Sequence, residues 1–215
     1  MTTHLRTACS ILSLLLLSAC GLIGPEPPER TVRVKLLADP KLREKDPPWH
    51  ETAAGLLEAA SDFYRREFGI RFVAASVEPW TLEESSPFVS TLLQQLIKSY
   101  PANRRDGSYD VAVGLTGERV TFYSGGRGLA ILGNCDKGLG TSLVSAVTRP
   151  YRYTGYDSEA SLDLVALIHE FGHIFGADHT EDIASIMHYP FDYRSDFDAK
   201  NREIILKNKF CPFGK

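Results

Sequence analysis

Residues 169–179 read His169-Glu170-Phe171-Gly172-His173-Ile174-Phe175-Gly176-Ala177-Asp178-His179, and they close an apolar stretch that begins at Ser158. Leu164, Ile168, Phe171 and Phe175 recur at helical spacing, so Ser158 to Phe175 is predicted to be a helix with those residues as its core stripe. Residues four apart lie about 40° apart on one face at ~3.6 residues per turn. His169 and His173 can therefore grip one metal ion without bending the helix. Glu170 projects from the neighbouring angle, toward a water beside the metal and not toward the metal itself. Gly176 can take the left-handed conformation that ends a helix and reverses the chain. His179 can then return as a third nitrogen ligand, and three protein ligands with one open position describe a catalytic zinc site. Two helical histidines often do no more than satisfy core hydrogen bonds, but the third beyond the glycine is left over by that reading. Asp178 fits a local turn bond better than a further ligand.

The stretches before this one alternate between strand and helix. Thr31 to Leu37, Ile70 to Val77 and Tyr109 to Leu115 read as strands. Trp49 to Phe68 has helical spacing and stops at Gly69, and Ser86-Pro87 opens a second helix running to Tyr100. This β-α-β-α-β order implies an α/β fold with a mostly parallel sheet. Farther on, Gly128-Leu129-Ala130-Ile131-Leu132 looks like a short strand bounded by turns, and Ser142 to Val147 like another. The glycines from Gly125 to Gly140 do not form a nucleotide loop, because no G-x-G-x-x-G stands between strand and helix.

Length and charge narrow the function. The chain has 215 residues, 43% of them apolar, with 24 basic against 27 acidic side chains and a net charge of −3. That suggests one medium domain or two very small ones, with no basic cluster, so nucleic acid is not an expected partner. His50 follows Pro47-Pro48-Trp49 in a loop-like stretch and is expected at the surface.

The N-terminus reads as an address. Arg6 gives a charged start, Ile11 to Leu17 an apolar run too short to span a bilayer, and Ser18-Ala19 lead into Cys20. Leu17-Ser18-Ala19-Cys20 resembles the bacterial lipoprotein box, which implies removal of residues 1–19 and lipidation of Cys20. A multiply acylated residue holds a protein stably at a membrane, where one chain binds only marginally. Gly21, and not Asp, follows the cysteine, and the resemblance then implies the outer membrane of a Gram-negative envelope. Residues 20–30, with Pro25, Pro27 and Pro28, form an extended tether reaching roughly 30 Å at about 3.3 Å per residue. Such a tether is expected to leave no room for a pro-domain.

The eleven-residue stretch, with Ser185-Ile186-Met187-His188-Tyr189 after it, resembles the metzincin metalloproteases. Their signature H-E-x-x-H-x-x-G-x-x-H, followed by a methionine turn, is met at every fixed position. The resemblance implies a zincin-like catalytic domain over residues 31–215, with an antiparallel edge strand, an active-site helix, a Met-turn and a C-terminal helix. His169, His173 and His179 would hold one Zn²⁺, with Met187 packed beneath them. Glu170 would act as the base, and the edge strand Gly128 to Leu132 would bind extended polypeptide as an added strand. Pro190 and Phe191 would wall the pocket for the side chain after the cut. Tyr189 has the spacing at which astacin-like turns place an oxyanion donor, with a packed tyrosine as the alternative. Gly128-Leu129-Ala130 followed by Cys135 looks adamalysin-like, the turn looks astacin-like, and Thr180 stands where astacins carry Glu, so the branch stays open.

Three functions remain from the sequence. They are a lipid-anchored zinc endopeptidase acting as a monomer, a zinc amidase of cell-wall peptide, and a silent binding protein on the same frame. Glu170 argues against the last. No acidic loop matches the twelve-residue calcium pattern. Once Cys9 leaves and Cys20 is lipidated, Cys135 and Cys211 remain in an oxidising compartment, and a disulfide between them is expected, with two buried thiols as the alternative.

Overall fold

Strand β1 (Arg30–Ala38) opens the sheet, with Val32, Val34 and Leu36 fully buried on one face and Leu37 on the other. In this computed structural model the described residues are 29–102, 107–119, 127–155, 161–189 and 192–214. The signal segment, Cys20, the tether up to residue 28, Pro190 and Phe191 lie outside them. After β1 come α1 (Pro40–Lys45), α2 (Trp49–Phe68), β2 (Ile70–Pro79), α3 (Val89–Ser99) and β3 (Val111–Thr116). Then follow β4 (Gly128–Ala130), β5 (Ser142–Ala146), α4 (Leu162–Ile174) and α5 (Ala199–Asn208). The five strands form one sheet in the order β2-β1-β3-β5-β4. Four are parallel, and β4 runs antiparallel to β5 at the edge. This is the α/β, zincin-like arrangement expected from the sequence.

The two faces of the sheet are unequal. One carries α2 and α4 over a large core that includes Val34, Leu36, Val113 and Leu143. The other carries α3 over a smaller cluster of Leu37, Trp80, Leu92, Leu96 and Val144. Every residue of β3 is buried, as a central parallel strand covered on both faces requires. Trp80 packs closely against β3 because residue 114 is glycine, where a Cβ would come within 2.7 Å of the indole.

Several boundaries differ from the sequence reading. The helix expected from Ser86-Pro87 starts at Val89, because Ser86 Oγ accepts the Phe88 N–H and Gln95 bonds the backbone of Glu83 and Glu84. Those side-chain bonds hold residues 83–88 as a loop. Helix α1 was not anticipated, although Asp39-Pro40 starts it: Asp39 accepts the Leu42 N–H at 2.6 Å and proline takes the first position. Helix α4 begins at Leu162, not at Ser158, with Ser161 as its N-cap, and residues 158–160 fall outside the described set. The edge strand is shorter than expected. Ile131 still donates to Ser142 O, but Ile131 and Leu132 turn outward, because Gly133 N–H is taken by His173 O at the end of α4. Among the described residues, no helix is long and apolar enough to cross a membrane.

Candidate active site

Helix α4 is fixed at both ends before its chemistry begins. At its first turn the buried Asp163 accepts from Arg127 at 2.7 Å, from Thr148 N–H at 2.8 Å and from Arg149 N–H. A carboxylate there also suits the positive end of the helix dipole. Because Arg127 directly precedes β4 and Thr148 follows β5, this cluster registers the helix against the sheet edge. Underneath, Phe72 stacks on Phe171 at 4.1 Å, and Tyr64 donates its hydroxyl to Ile168 O at 2.8 Å. At the far end, Gly133, Gly140 and Asn208 donate to the carbonyls of His173, Ile174 and Phe175. Those are carbonyls a helix leaves unsatisfied. Gly176 follows with φ 93°, the left-handed turn expected of it.

The three histidines converge. His169 and His173 Nε2 lie 3.0 Å apart, and His169 and His179 Nε2 3.2 Å apart. His169 Nδ1 meets Ile186 O at 2.8 Å, and His173 Nδ1 meets Ala177 O at 2.7 Å. A carbonyl can only accept, so both Nδ1 atoms carry the hydrogen and both Nε2 atoms present lone pairs. Facing lone pairs need a cation between them. Tetrahedral zinc with Zn–N near ~2.05 Å spaces its nitrogens about 3.3 Å apart, so the donor set fits that ion. Burial, and then the neighbouring His173, push the His169 pKa down to about 3, which keeps it a neutral ligand. Burial also lowers His173.

Glu170 stands beside them, buried, with Oε2 lacking a hydrogen-bond partner among the described residues. Burial raises its pKa well above the usual carboxylate range. Strand β4 runs directly across it: a Cβ on Gly128 would sit 2.6 Å from Glu170 Cγ. Glycine there lets the sheet edge and the carboxylate share one spot.

Met187 is fully buried against α4, where a Cβ on Gly172 would meet its sulfur at 2.8 Å. Its turn is held by Thr180 N–H donating to Met187 O, and by Arg194, which bonds Ile183 O, His188 O and His188 Nδ1. Tyr189 is exposed, its ring 5.9 Å from that of His179. His50 is exposed and stacks on Trp49, and Asp178 Oδ1 accepts the His179 N–H in a local turn. Cys135 and Cys211 form a disulfide that ties the loop after β4 to the C-terminal segment. Sequence reasoning missed Asp163, Arg127 and Arg194. An acid in the first turn of a helix was the available signal for Asp163, and none marked its partners.

Fold and triad together define a metzincin-like zinc metalloprotease. A family model described as metallo-peptidase family M12, of reprolysin type, matches residues 28–209, and the chain belongs to that family. Members of the family use zinc, and the three-histidine cluster is a site among the described residues where a metal fits. A search of curated proteins finds no match to this chain.

Proposed function

We propose that this chain is a lipid-anchored zinc endopeptidase of the bacterial envelope that cuts extended polypeptide. The observation that carries the reading is the convergence of three histidine Nε2 atoms beside a buried carboxylate, next to the edge strand β4. His169, His173 and His179 would hold a single Zn²⁺. When bound, zinc supplies a Lewis acid that polarises the scissile carbonyl and acidifies the attacking water.

The chain's own groups do the rest. Among the described residues β4 pairs only with β5, so its outer edge would offer backbone donors and acceptors to a peptide lying antiparallel or parallel to it. Gly128 to Ala130 would supply that register, with Ile131 and Leu132 as an apolar rim beyond it. A substrate held there passes over Glu170, since Gly128 touches that carboxylate. Glu170 takes the proton of the attacking water and returns it to the leaving amine. Tyr189 donates to the developing oxyanion. Met187 forms the apolar floor that keeps α4 and the turn at a fixed distance.

Cys20 lipidation would hold the domain as a monomer at the membrane, and the short tether would set a reach of roughly 30 Å. Digesting an unfolded protein and purified cell wall side by side, with and without a chelator, tests the proposal. Chelator-sensitive cleavage of the protein alone supports it. Release of wall peptide alone replaces it with the amidase, and no cleavage of either replaces it with a binding protein.

A further inference from the structure

One buried side chain holds the segment that carries the third histidine. Asn201, in the first turn of α5 and 1% exposed, accepts the Asp178 N–H at 2.9 Å and donates to Asp178 O at 2.8 Å. It thereby satisfies both backbone groups of one residue, as a neighbouring strand would. Asp198 fixes the orientation of that amide: its Oδ2 receives Asn201 Nδ2 at 2.8 Å, and a carboxylate only accepts, so the nitrogen must face it. Asp198 Oδ1 also caps the Asn201 N–H at 3.0 Å.

The same carboxylate reaches the Met-turn. Ser185 Oγ donates to Asp198 Oδ2 at 2.8 Å and accepts the Met187 N–H at 3.1 Å. The start of α5 therefore braces two points of the segment that follows α4, Asp178 before the third histidine and the Met-turn after it. Asp178 sits between two of the groups that matter most: Ala177 O, which orients His173, and His179 itself.

We propose that Asn201 is a positioning residue of the metal site. Locked by Asp198, it sets the Asp178 backbone so that Ala177 O holds the His173 ring and His179 is delivered to the other two nitrogens. This rests on the three-histidine metal site proposed above.

The test compares zinc affinity, by chelator competition, and the visible spectrum of the Co²⁺-substituted full chain. Asn201→Asp keeps the acceptor for Asp178 N–H but loses both donors, and Asn201→Ala loses everything. Gln95→Ala is the control, because it removes another buried amide that holds a loop backbone, at Glu83 and Glu84, on the opposite face of the sheet. Both Asn201 variants should bind zinc about tenfold more weakly or worse, and their cobalt bands should shift. Gln95→Ala should melt at a lower temperature yet bind zinc within twofold of wild type with an unchanged spectrum. Equal affinity and spectra across wild type and the Asn201 variants would overturn the proposal, as would an equal loss in the control. Failure of both Asn201 variants to fold, while the metal-free wild type folds, would make Asn201 a purely structural tie. A wild type that binds no zinc would overturn the metal site itself, a different result from any of these.

Discussion

His169 and His173 stand on a helix clamped by Asp163 at one end, by Tyr64 beneath and by three donors at the other. His179 stands on an exposed loop whose shape depends on bonds from α5. The first pair is preorganised by the same burial that folds the domain. The third ligand is ordered mainly by side-chain bonds to single backbone groups, each worth only about 1 kcal/mol net. Metal binding should therefore report on the loop and the Met-turn more than on the helix.

The largest expected effects separate these halves. Glu170→Gln should lower kcat by roughly 10²–10⁴, the usual worth of a general base, while zinc content stays near one equivalent. His179→Ala should also end proteolysis, but by loss of metal. A metal at a hundredfold its Kd adds about 2.7 kcal/mol of stability, and that zinc-dependent gain in melting temperature should disappear. If His179→Ala retains zinc and its thermal shift, the loop half is not part of the site.

A smaller effect is expected at the exposed end of the turn. Tyr189→Phe should lower kcat about tenfold to a hundredfold and leave KM nearly unchanged, because an oxyanion donor acts in the transition state. Equal changes in both would make Tyr189 a packing or binding residue. Gly172→Ala then probes the seam between the halves. Its Cβ would lie 2.8 Å from Met187 Sδ and 3.0 Å from Phe197, so unfolding in denaturant should show a loss of about 1–3 kcal/mol. A neutral result would mean the turn gives way easily and the helix does not depend on it.

The smallest effect is a pH dependence in the brace. Burial raises the Asp198 pKa, but hydrogen bonds from Asn201 and Ser185 outweigh it and leave the group below its ordinary value. The native state thus binds the proton less readily than the unfolded chain does. Asp198 contributes fully above an ordinary aspartate pKa of ~3.9, and the contribution is lost as pH falls through the lower folded value. Asp198→Asn should show a flatter acid limb in melting temperature against pH than wild type. An unchanged limb would remove Asp198 as a source of acid sensitivity.

The helix half was legible because its signals are local. Periodicity placed the end of α4 to within one residue and its start four residues early, and the left-handed glycine at 176 ended it as expected. The expected edge strand lost Ile131 and Leu132 because the end of α4 captures Gly133, a contact between residues forty apart that no local pattern records. The same holds at Ser86, where Gln95, a residue from within the helix, decides where that helix begins.

From the sequence alone came the alternation of strands and helices, the two helical histidines with Glu170 between them, and the glycine that returns the chain toward a third. Residue spacing on one helix carries that information, since 3.6 residues per turn fixes which side chains share a face. The tertiary structure alone decided that Gly128 lies against Glu170, that Arg127 and Asp163 register the edge strand on α4, and that Asn201 grips Asp178. These contacts join elements brought together only when the sheet closes over its core, and a bond between distant residues leaves no periodic trace in the chain.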